Sequence, residues 1–389
     1  MSTFAVVHNI PIHYKHLLFN VLVERGAQFT VLFMAARSKG AIAFDAMDSS
    51  EALYRYRTGS QGYYEEAPAT IRAGFVWNNL NTIRPKAVIV SGYYAIECWI
   101  ALLWAKLHRV HLVLWFESNE FDKRRYWPKE MLKRLFLRGC DEAHVYGTSN
   151  ANYLVKLGMA ESAILLKRAV ANADLFWTAR DARTYRERGV FRLLYVGRLA
   201  PEKNLATLLR AFSRVHAAQP PGSMRLVLVG SGPLEEELKR ECAELGIEKD
   251  VDFLGHRTQA SLPEVYRSCD VFVLPSLHEA WGLVVNEALL CRMPVIVSRR
   301  CGCVADLVTP ETGWCFSPWW QSDLESAILR AVTCSSEKLA AMGDAGVSMG
   351  LDYTAEKCAD RVIEGLFKFG IRVEARSAPF GSPTQSSRH

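Results

Sequence analysis

The stretch Val273-Leu274-Pro275-Ser276-Leu277-His278-Glu279-Ala280-Trp281-Gly282-Leu283-Val284-Val285-Asn286-Glu287-Ala288-Leu289 decides how this chain is read. Its apolar start has the length of a buried strand ending at Pro275. A polar loop follows, and helical spacing begins near Leu283. A strand feeding a helix through a short loop is the repeating unit of parallel α/β architecture. Glu279 lies in the loop and Glu287 in the early turns of the helix. Gly282 marks the helix entry, where unpaired backbone N–H groups and the positive dipole end favour an anion. A carboxylate at each end of such a turn can accept hydrogen bonds from a polyol, while the amides between them hold phosphate. Trp281 adds a face on which a sugar ring could stack. Glu287 also suits a plainer role, complementing the helix dipole.

Upstream, Tyr195-Val196-Gly197-Arg198-Leu199-Ala200-Pro201-Glu202-Lys203-Asn204 has the same strand-to-helix form. Gly197 ends the strand, where a backbone without Cβ lets a ligand approach closely. Pro201 is expected in the first turn of a helix whose stripe is Leu205, Leu208, Leu209, Phe212 and Val215. Arg198 and Lys203 then flank the turn and point two cations at one spot, which suits a diphosphate. Taken alone they are equally well read as solvated surface cations. Gly230-Ser231-Gly232 forms another strand-to-helix turn. It does not match the dinucleotide fingerprint, because position 235 is Glu, and a tight turn keeping the chain clear of the cleft is as good a reading as a functional one.

The same alternation runs through the chain. Strands are expected at Thr3–His8, Phe29–Ala35, Ala87–Ser91, Leu112–Phe116 and Ala143–Tyr146, then at Leu193–Gly197, Leu226–Gly230, Val251–Leu254, Val271–Pro275 and Val295–Ser298. At 389 residues the chain is too long for one ordinary core. The expected layout is therefore α/β, with two Rossmann-like domains facing across a cleft. The first spans 1–175 and a charged linker 176–189. The second spans 190–353, a C-terminal helix at 354–372 packs back on the first domain, and 373–389 forms a disordered Ser/Pro/Gly-rich tail.

Composition narrows the function classes. Half of the residues are apolar and 23% charged, so there is ample surface to bury and a disordered chain is excluded. A net charge of +6 without dense Lys/Arg blocks argues against a nucleic-acid partner. The N-terminus has no basic flank, and the best membrane-span candidate, Tyr93–Leu107, is interrupted by Glu97 and Lys106. A cytoplasmic protein is expected. The ten cysteines contain no C-x-x-C pair and read as reduced core thiols; a zinc site built on Cys301 and Cys303 is the weaker alternative.

With these residues in hand, the segment from Gly197 to about Val332 resembles the donor domain of the retaining glycosyltransferases of family four, which have the GT-B fold. Glu279 and Glu287, with seven residues between them, match the family's paired glutamates. Gly197, Arg198 and Lys203 match its G-R-x-x-x-x-K element. The resemblance implies transfer of a sugar from a nucleotide diphosphate donor to a glycan, glycolipid or small-molecule hydroxyl. It implies retention at the anomeric carbon, with no cofactor and no bound metal. It places Arg198 and Lys203 on the diphosphate, Glu279 on the donor-sugar hydroxyls and Glu287 on the ribose. Trp281, Gly282 and Leu283 fall in the donor site, and Gly255-His256-Arg257 border the base. A catalytically silent sugar-nucleotide binder and a nucleotide-sugar epimerase stand as alternatives.

The first half follows the family loosely. Many members carry a Gly-Gly turn after the first strand, where this chain has His8-Asn9-Ile10-Pro11-Ile12-His13-Tyr14-Lys15-His16. His13, Tyr14 and Lys15 are the acceptor-side candidates, with ordinary helix-start residues as the alternative. Glu117, at the end of another strand, is the carboxylate best placed to meet an acceptor hydroxyl and take a catalytic part; pairing with a nearby arginine is the alternative. Lys123–Arg138 reads as a basic amphipathic helix with aromatic residues at its start. One use for it is docking on an anionic inner membrane face that presents a lipid-linked acceptor; a cationic solvent face over an ordinary core stripe is the alternative.

Overall fold

The computed structural model describes residues 3–39, 51–121, 126–177, 185, 189–368 and 370. The expectations for a linker at 176–189 and a tail at 373–389, and those for Lys123, Arg124 and Arg125, fall wholly or mainly outside the described residues.

Two parallel sheets organise the chain. The first has strands β1 (Phe4–His8), β2 (Phe29–Phe33), β3 (Arg55–Thr58), β4 (Ala87–Val90), β5 (His111–Phe116), β6 (Glu142–Val145) and β7 (Ile164–Leu166). Their spatial order is β3-β2-β1-β4-β5-β6-β7. The second has β8 (Phe191–Val196), β9 (Met224–Val229), β10 (Val251–Gly255), β11 (Val271–Leu274), β12 (Val295–Ser298) and β13 (Gly313–Phe316). Its order, β10-β9-β8-β11-β12-β13, repeats that of the first sheet's opening six strands. Both are doubly wound, so each has a switch point where the crossovers change direction, between β1 and β4 and between β8 and β11.

Sequence explains these strands directly. Phe4 to His8 and Val295 to Ser298 are buried at every position, as expected for strands covered by helices on both faces. Three strands escaped the hydrophobic pattern. β3 (Arg-Tyr-Arg-Thr) is an edge strand with mostly exposed residues, paired to β2 from Thr30↔Arg55 to Phe33↔Thr58. β7 and β13 are edges of three and four residues. An edge strand is held by backbone pairing and need not be apolar.

The helix expected to begin at Pro201 instead begins at Leu205. Pro201–Lys203 forms a separate 3₁₀ turn, ended by Asn204 in the left-handed region at φ 57°. The C-terminal helix Ala355–Phe367 places Cys358, Ala359, Val362 and Leu366 in one core with Leu18, Phe19 and Leu22 of the helix His13–Glu24. The chain therefore crosses back to the first domain, with a lone parallel bridge at Ala171↔Thr354. All cysteines are free, and all but Cys140 and Cys315 are buried. Among the described residues no group of three or more His, Cys, Asp or Glu is placed to hold a metal ion.

Candidate active site

The carboxyl ends of the two sheets meet through polar contacts that cross between domains. Asn119, after β5, is buried and donates from Nδ2 to the carbonyls of Glu279 (2.8 Å) and Ala280 (3.1 Å). Thr148 donates from its backbone N–H (2.9 Å) and Oγ1 (2.8 Å) to the two carboxylate oxygens of Asp306. Arg168 adds an ion pair to Asp306 at 3.0 Å. His278 Nδ1 donates to the Phe121 carbonyl at 2.7 Å. The loop bearing Glu279 is thus positioned by the first domain as well as by its own strand.

Within the second domain three turns converge. Leu277 N–H donates to the carbonyl of Glu202 (2.8 Å), which ties the 3₁₀ turn to the glutamate loop. As a result the Lys203 ammonium and the Glu279 carboxylate form an ion pair in a largely buried setting. Arg198 is more open and contacts Glu202 Oε1 at 2.5 Å. The Gly230-Ser231-Gly232 turn lies against this group. Leu199 N–H donates to Ser231 O (3.0 Å) and Leu234 N–H to Leu199 O (3.1 Å). Gly230 has φ +129°, and a Cβ there would sit 1.9 Å from Gly197 O; a Cβ on Gly232 would sit 2.3 Å from Leu199 O. The two turns approach as closely as glycine permits.

A cavity of about 300 Å³ opens at this edge, bordered by Gly197, Arg198, Gly230, Ser231, Arg257, Val284 and Glu287. Its volume is within the range of small-molecule sites. The reading of Gly230-Ser231-Gly232 as a turn clear of the cleft is therefore corrected, since both Gly230 and Ser231 line it. Glu287 is engaged by the Tyr266 hydroxyl (2.9 Å). Burial pushes its carboxyl up to about 7, with the Tyr266 hydrogen bond partly opposing. Gly282, at φ +102°, starts the helix Leu283–Leu290 and leaves Leu283 packed against the core.

Several sequence-based assignments move. Trp281 is buried, with its ring centroid 6.0 Å from that of Tyr146 and 5.6 Å from that of Tyr353, and its Nε1 donates to Asn286 Oδ1 (2.8 Å). It packs the domain junction and has no face left for a sugar. Arg257 lines the cavity, whereas His256 is exposed and is not one of the lining residues. His13, expected on the acceptor side, borders the same cavity as Arg198 and Glu287. Lys15 is 1% exposed and cannot reach an acceptor. It pairs with Glu117 and lies 4.6 Å from the Trp115 ring centroid. Tyr14 OH lies 3.4 Å from the second Glu117 oxygen.

Glu117 itself is about a third exposed. Burial would raise its pKa, but the charges of Lys15 and the buried Lys167, with hydrogen bonds from Lys15 and Tyr146, hold it at about 2. Glu117 is thus favoured as the anion, and the catalytic role expected of it falls on a carboxylate already paired with the buried Lys15. The alternative of an arginine partner is corrected, because the partner is a lysine.

A second cavity, of about 140 Å³, lies at the switch point of the first sheet, lined by His8, Asn9, Tyr64, Ser91, Tyr93, Tyr94 and Glu97 among others. Glu97 is buried there and takes a hydrogen bond from Tyr64 (2.6 Å) and an ion pair with Arg72 (3.2 Å). Ser91 Oγ is buried without a protein partner among the described residues. His8 is held neutral, its pKa lowered to about 3 by burial and then by Lys15. Sequence reading missed this pocket, because its members come from three separated segments. The one available signal was position at carboxyl strand ends.

Two doubly wound sheets facing across a cleft make this the GT-B fold of the glycosyltransferases, and solved structures agree. Anabaena HepE in complex with UDP matches with a TM-score of 0.76 at 15% identity, over 95% of this chain and 100% of that one. The lipopolysaccharide outer core galactosyltransferase WaaB matches with a TM-score of 0.72 at 15% identity, over 94% of this chain and 99% of that one. Residues 182–349 match the sequence family described as "Glycosyl transferases group 1". Among curated relatives, the D-inositol 3-phosphate glycosyltransferase of Segniliparus rotundus is 31% identical over 177 residues, 43% of this chain and 38% of that protein. That of Corynebacterium efficiens is 34% identical over 284 residues, 65% of each. The chain thus spans less than two thirds of the length of these relatives.

Proposed function

We propose that the protein is a retaining glycosyltransferase that moves a sugar from a nucleoside diphosphate donor to a hydroxyl of a glycan, glycolipid or small molecule. The observation that carries the reading is the Lys203–Glu279 pair, formed on the same turn that brings Arg198 to a cavity lined also by Glu287. In this reading the nucleoside occupies the 300 Å³ cavity, with its ribose on Glu287 and its base beside Arg257. Arg198 and Lys203 meet the diphosphate. Charge grows on the leaving phosphate as the glycosidic bond breaks, so fixed cations there stabilise the transition state more than the ground state. This makes metal-independent turnover the expectation, checked by activity in excess chelator. Glu279 holds the donor-sugar hydroxyls, and the Ser91–Glu97 pocket takes the acceptor group.

Support comes from the sequence family matched by the second domain and from the UDP bound by a structural neighbour. The direct test is release or transfer of sugar from a panel of uridine, guanosine and adenosine diphosphate sugars. Thermal protection by a nucleotide without turnover of any donor would instead identify a silent binder. Interconversion of the donor sugar without transfer would identify an epimerase.

A second element of the proposal concerns location. The helix Trp127–Arg138 leaves Trp127 73% exposed, and Met131, Leu132 and Leu135 about half exposed, beside Lys129, Arg134 and Arg138. Apolar side chains standing among cations suit an anionic lipid surface. Among the described residues no helix is long and apolar enough to cross a membrane. Sedimentation with phosphatidylglycerol vesicles tests this; absence of binding at low salt removes it.

A further inference from the structure

Two adjacent tryptophans, Trp319 and Trp320, stand 60% and 66% exposed on the turn that follows β13. The turn is anchored. Pro318 is buried, Trp320 N–H donates to Ser317 O (3.3 Å), and Ser317 N–H donates to Asp323 Oδ2 (3.3 Å). The indoles are therefore displayed on a fixed support, and large apolar faces held in water on a rigid rim mark interaction sites.

What lies beneath Trp319 gives the display a direction. The Arg300 guanidinium is 5.4 Å from the Trp319 ring centroid and 4.4 Å from that of Phe121. Arg300 also donates to Leu277 O (3.3 Å) and to Phe121 O (3.4 Å). Phe121 belongs to the first domain, after β5, and Leu277 lies two residues before Glu279. A layer of Phe121, Arg300 and Trp319 thus spans the junction of the two domains. It begins beside the loop that carries Glu279 and ends on an open indole.

We propose that this ledge is a saccharide subsite, in which Trp319, with Trp320 beside it, receives a sugar unit of an oligosaccharide acceptor beyond the unit that is glycosylated. The proposal rests on the glycosyltransferase reading above. A pyranose ring presents a face of weakly positive C–H groups, which an indole attracts through its negative π face, while the ring's hydroxyls remain in water at the rim. The flat guanidinium behind Trp319 holds the indole plane in place.

The test uses saturation-transfer NMR on the full chain, with chito-, malto-, manno- and cello-oligosaccharides at millimolar concentration. Nucleoside diphosphate binding and thermal melting are read on the same samples. The expected result is saturation of ring protons of at least one oligosaccharide, weakened about ten-fold in Trp319→Ala, a loss in line with one aromatic contact. Trp319→Phe keeps a ring and should retain most of the signal, and Trp320→Ala provides a second, independent loss. Melting and nucleotide binding should be unchanged in all three. An unchanged signal in Trp319→Ala and Trp320→Ala overturns the ledge, as does a wild-type protein that saturates no oligosaccharide while binding nucleotide. Loss of vesicle binding with an intact oligosaccharide signal would assign the tryptophans to a lipid surface and also overturn it. Failure of the wild type to bind any nucleoside diphosphate sinks the transferase reading instead.

Discussion

Lys203 and Glu279 are 76 positions apart in the chain and meet because one backbone hydrogen bond, Leu277 N–H to Glu202 O, joins their loops. A charge-assisted hydrogen bond of this kind is worth about 1.5–3 kcal/mol, so Lys203→Ala or Arg198→Ala should lower donor turnover by about ten- to a hundred-fold. Melting should move little for Arg198→Ala, whose side chain is half exposed. Wild-type turnover in both variants would mean that the pocket is misassigned. Glu287 makes a different prediction. Its carboxyl, raised by burial to about 7, ionises as pH rises through that value. The anion is the stronger acceptor for ribose hydroxyls, so nucleotide affinity should increase between about pH 6 and pH 8 and the trend should flatten in Glu287→Gln. Tyr266→Phe removes the hydrogen bond that lowers the pKa and should shift the midpoint upward. Calorimetric titration at several pH values reads both. For stability the sign is opposite: a carboxyl raised in the folded state favours folding below its unfolded value of about 4.5, and that contribution is lost as pH rises through about 7.

Among the elements, the turns at Gly197 and Gly230 decide whether a cavity exists. Their carbonyls and amides interlock at a spacing that leaves no room for a Cβ. Gly230→Ala should force the turns apart, depress the melting temperature and weaken nucleotide binding by about ten-fold or more, because strain adds to the clash at positive φ. Gly74→Ala is the control. A Cβ there meets nothing within 4 Å, and its helix Ala69–Ile83 should be neutral or gain about 0.5–1 kcal/mol. The glycine pattern was visible in sequence, but its purpose was not. Spacing alone cannot tell a turn that avoids the cleft from one that builds it, since the partner carbonyl at Gly197 lies 33 residues away.

For the whole molecule, buried polar groups join the apolar packing around Trp281 in fixing the relation between the domains. Asp306 collects two hydrogen bonds from Thr148 and an ion pair from Arg168, which also donates to Tyr353 OH at 3.0 Å. Removing one partner of a buried pair leaves the other charge uncompensated. Asp306→Ala should therefore cost roughly 3 kcal/mol and loosen the junction. A lower melting temperature together with a larger radius of gyration by small-angle scattering is the expected outcome; an unchanged radius would show that Asn119 and the Trp281 packing hold the domains without it. Trp281 belongs to the same scale. Two residues from Glu279 in sequence, it looked like a ligand-facing ring, but Tyr353, just before the returning helix, and Tyr146 pack against it, and both arrive from distant segments.

The sequence by itself determined the alternation of buried strands and helices, the presence of two α/β halves, and the placing of Arg198, Lys203, Glu279 and Glu287 at or just beyond strand-to-helix turns, because period and local motif are properties of neighbouring residues. It could not show the edge strands, whose hydrogen bonds rather than hydrophobicity hold them. Nor could it bring His13 to the cavity of Arg198 and Glu287, enclose Lys15, or bring Ser91 and Glu97 into one pocket with His8 and Tyr64. Those outcomes depend on which strand lies beside which and on how one sheet faces the other. Only the tertiary structure decided that Glu117 is a fixed anion between two buried lysines, since its state is set by charges that come from the helix after β1 and from the end of β7.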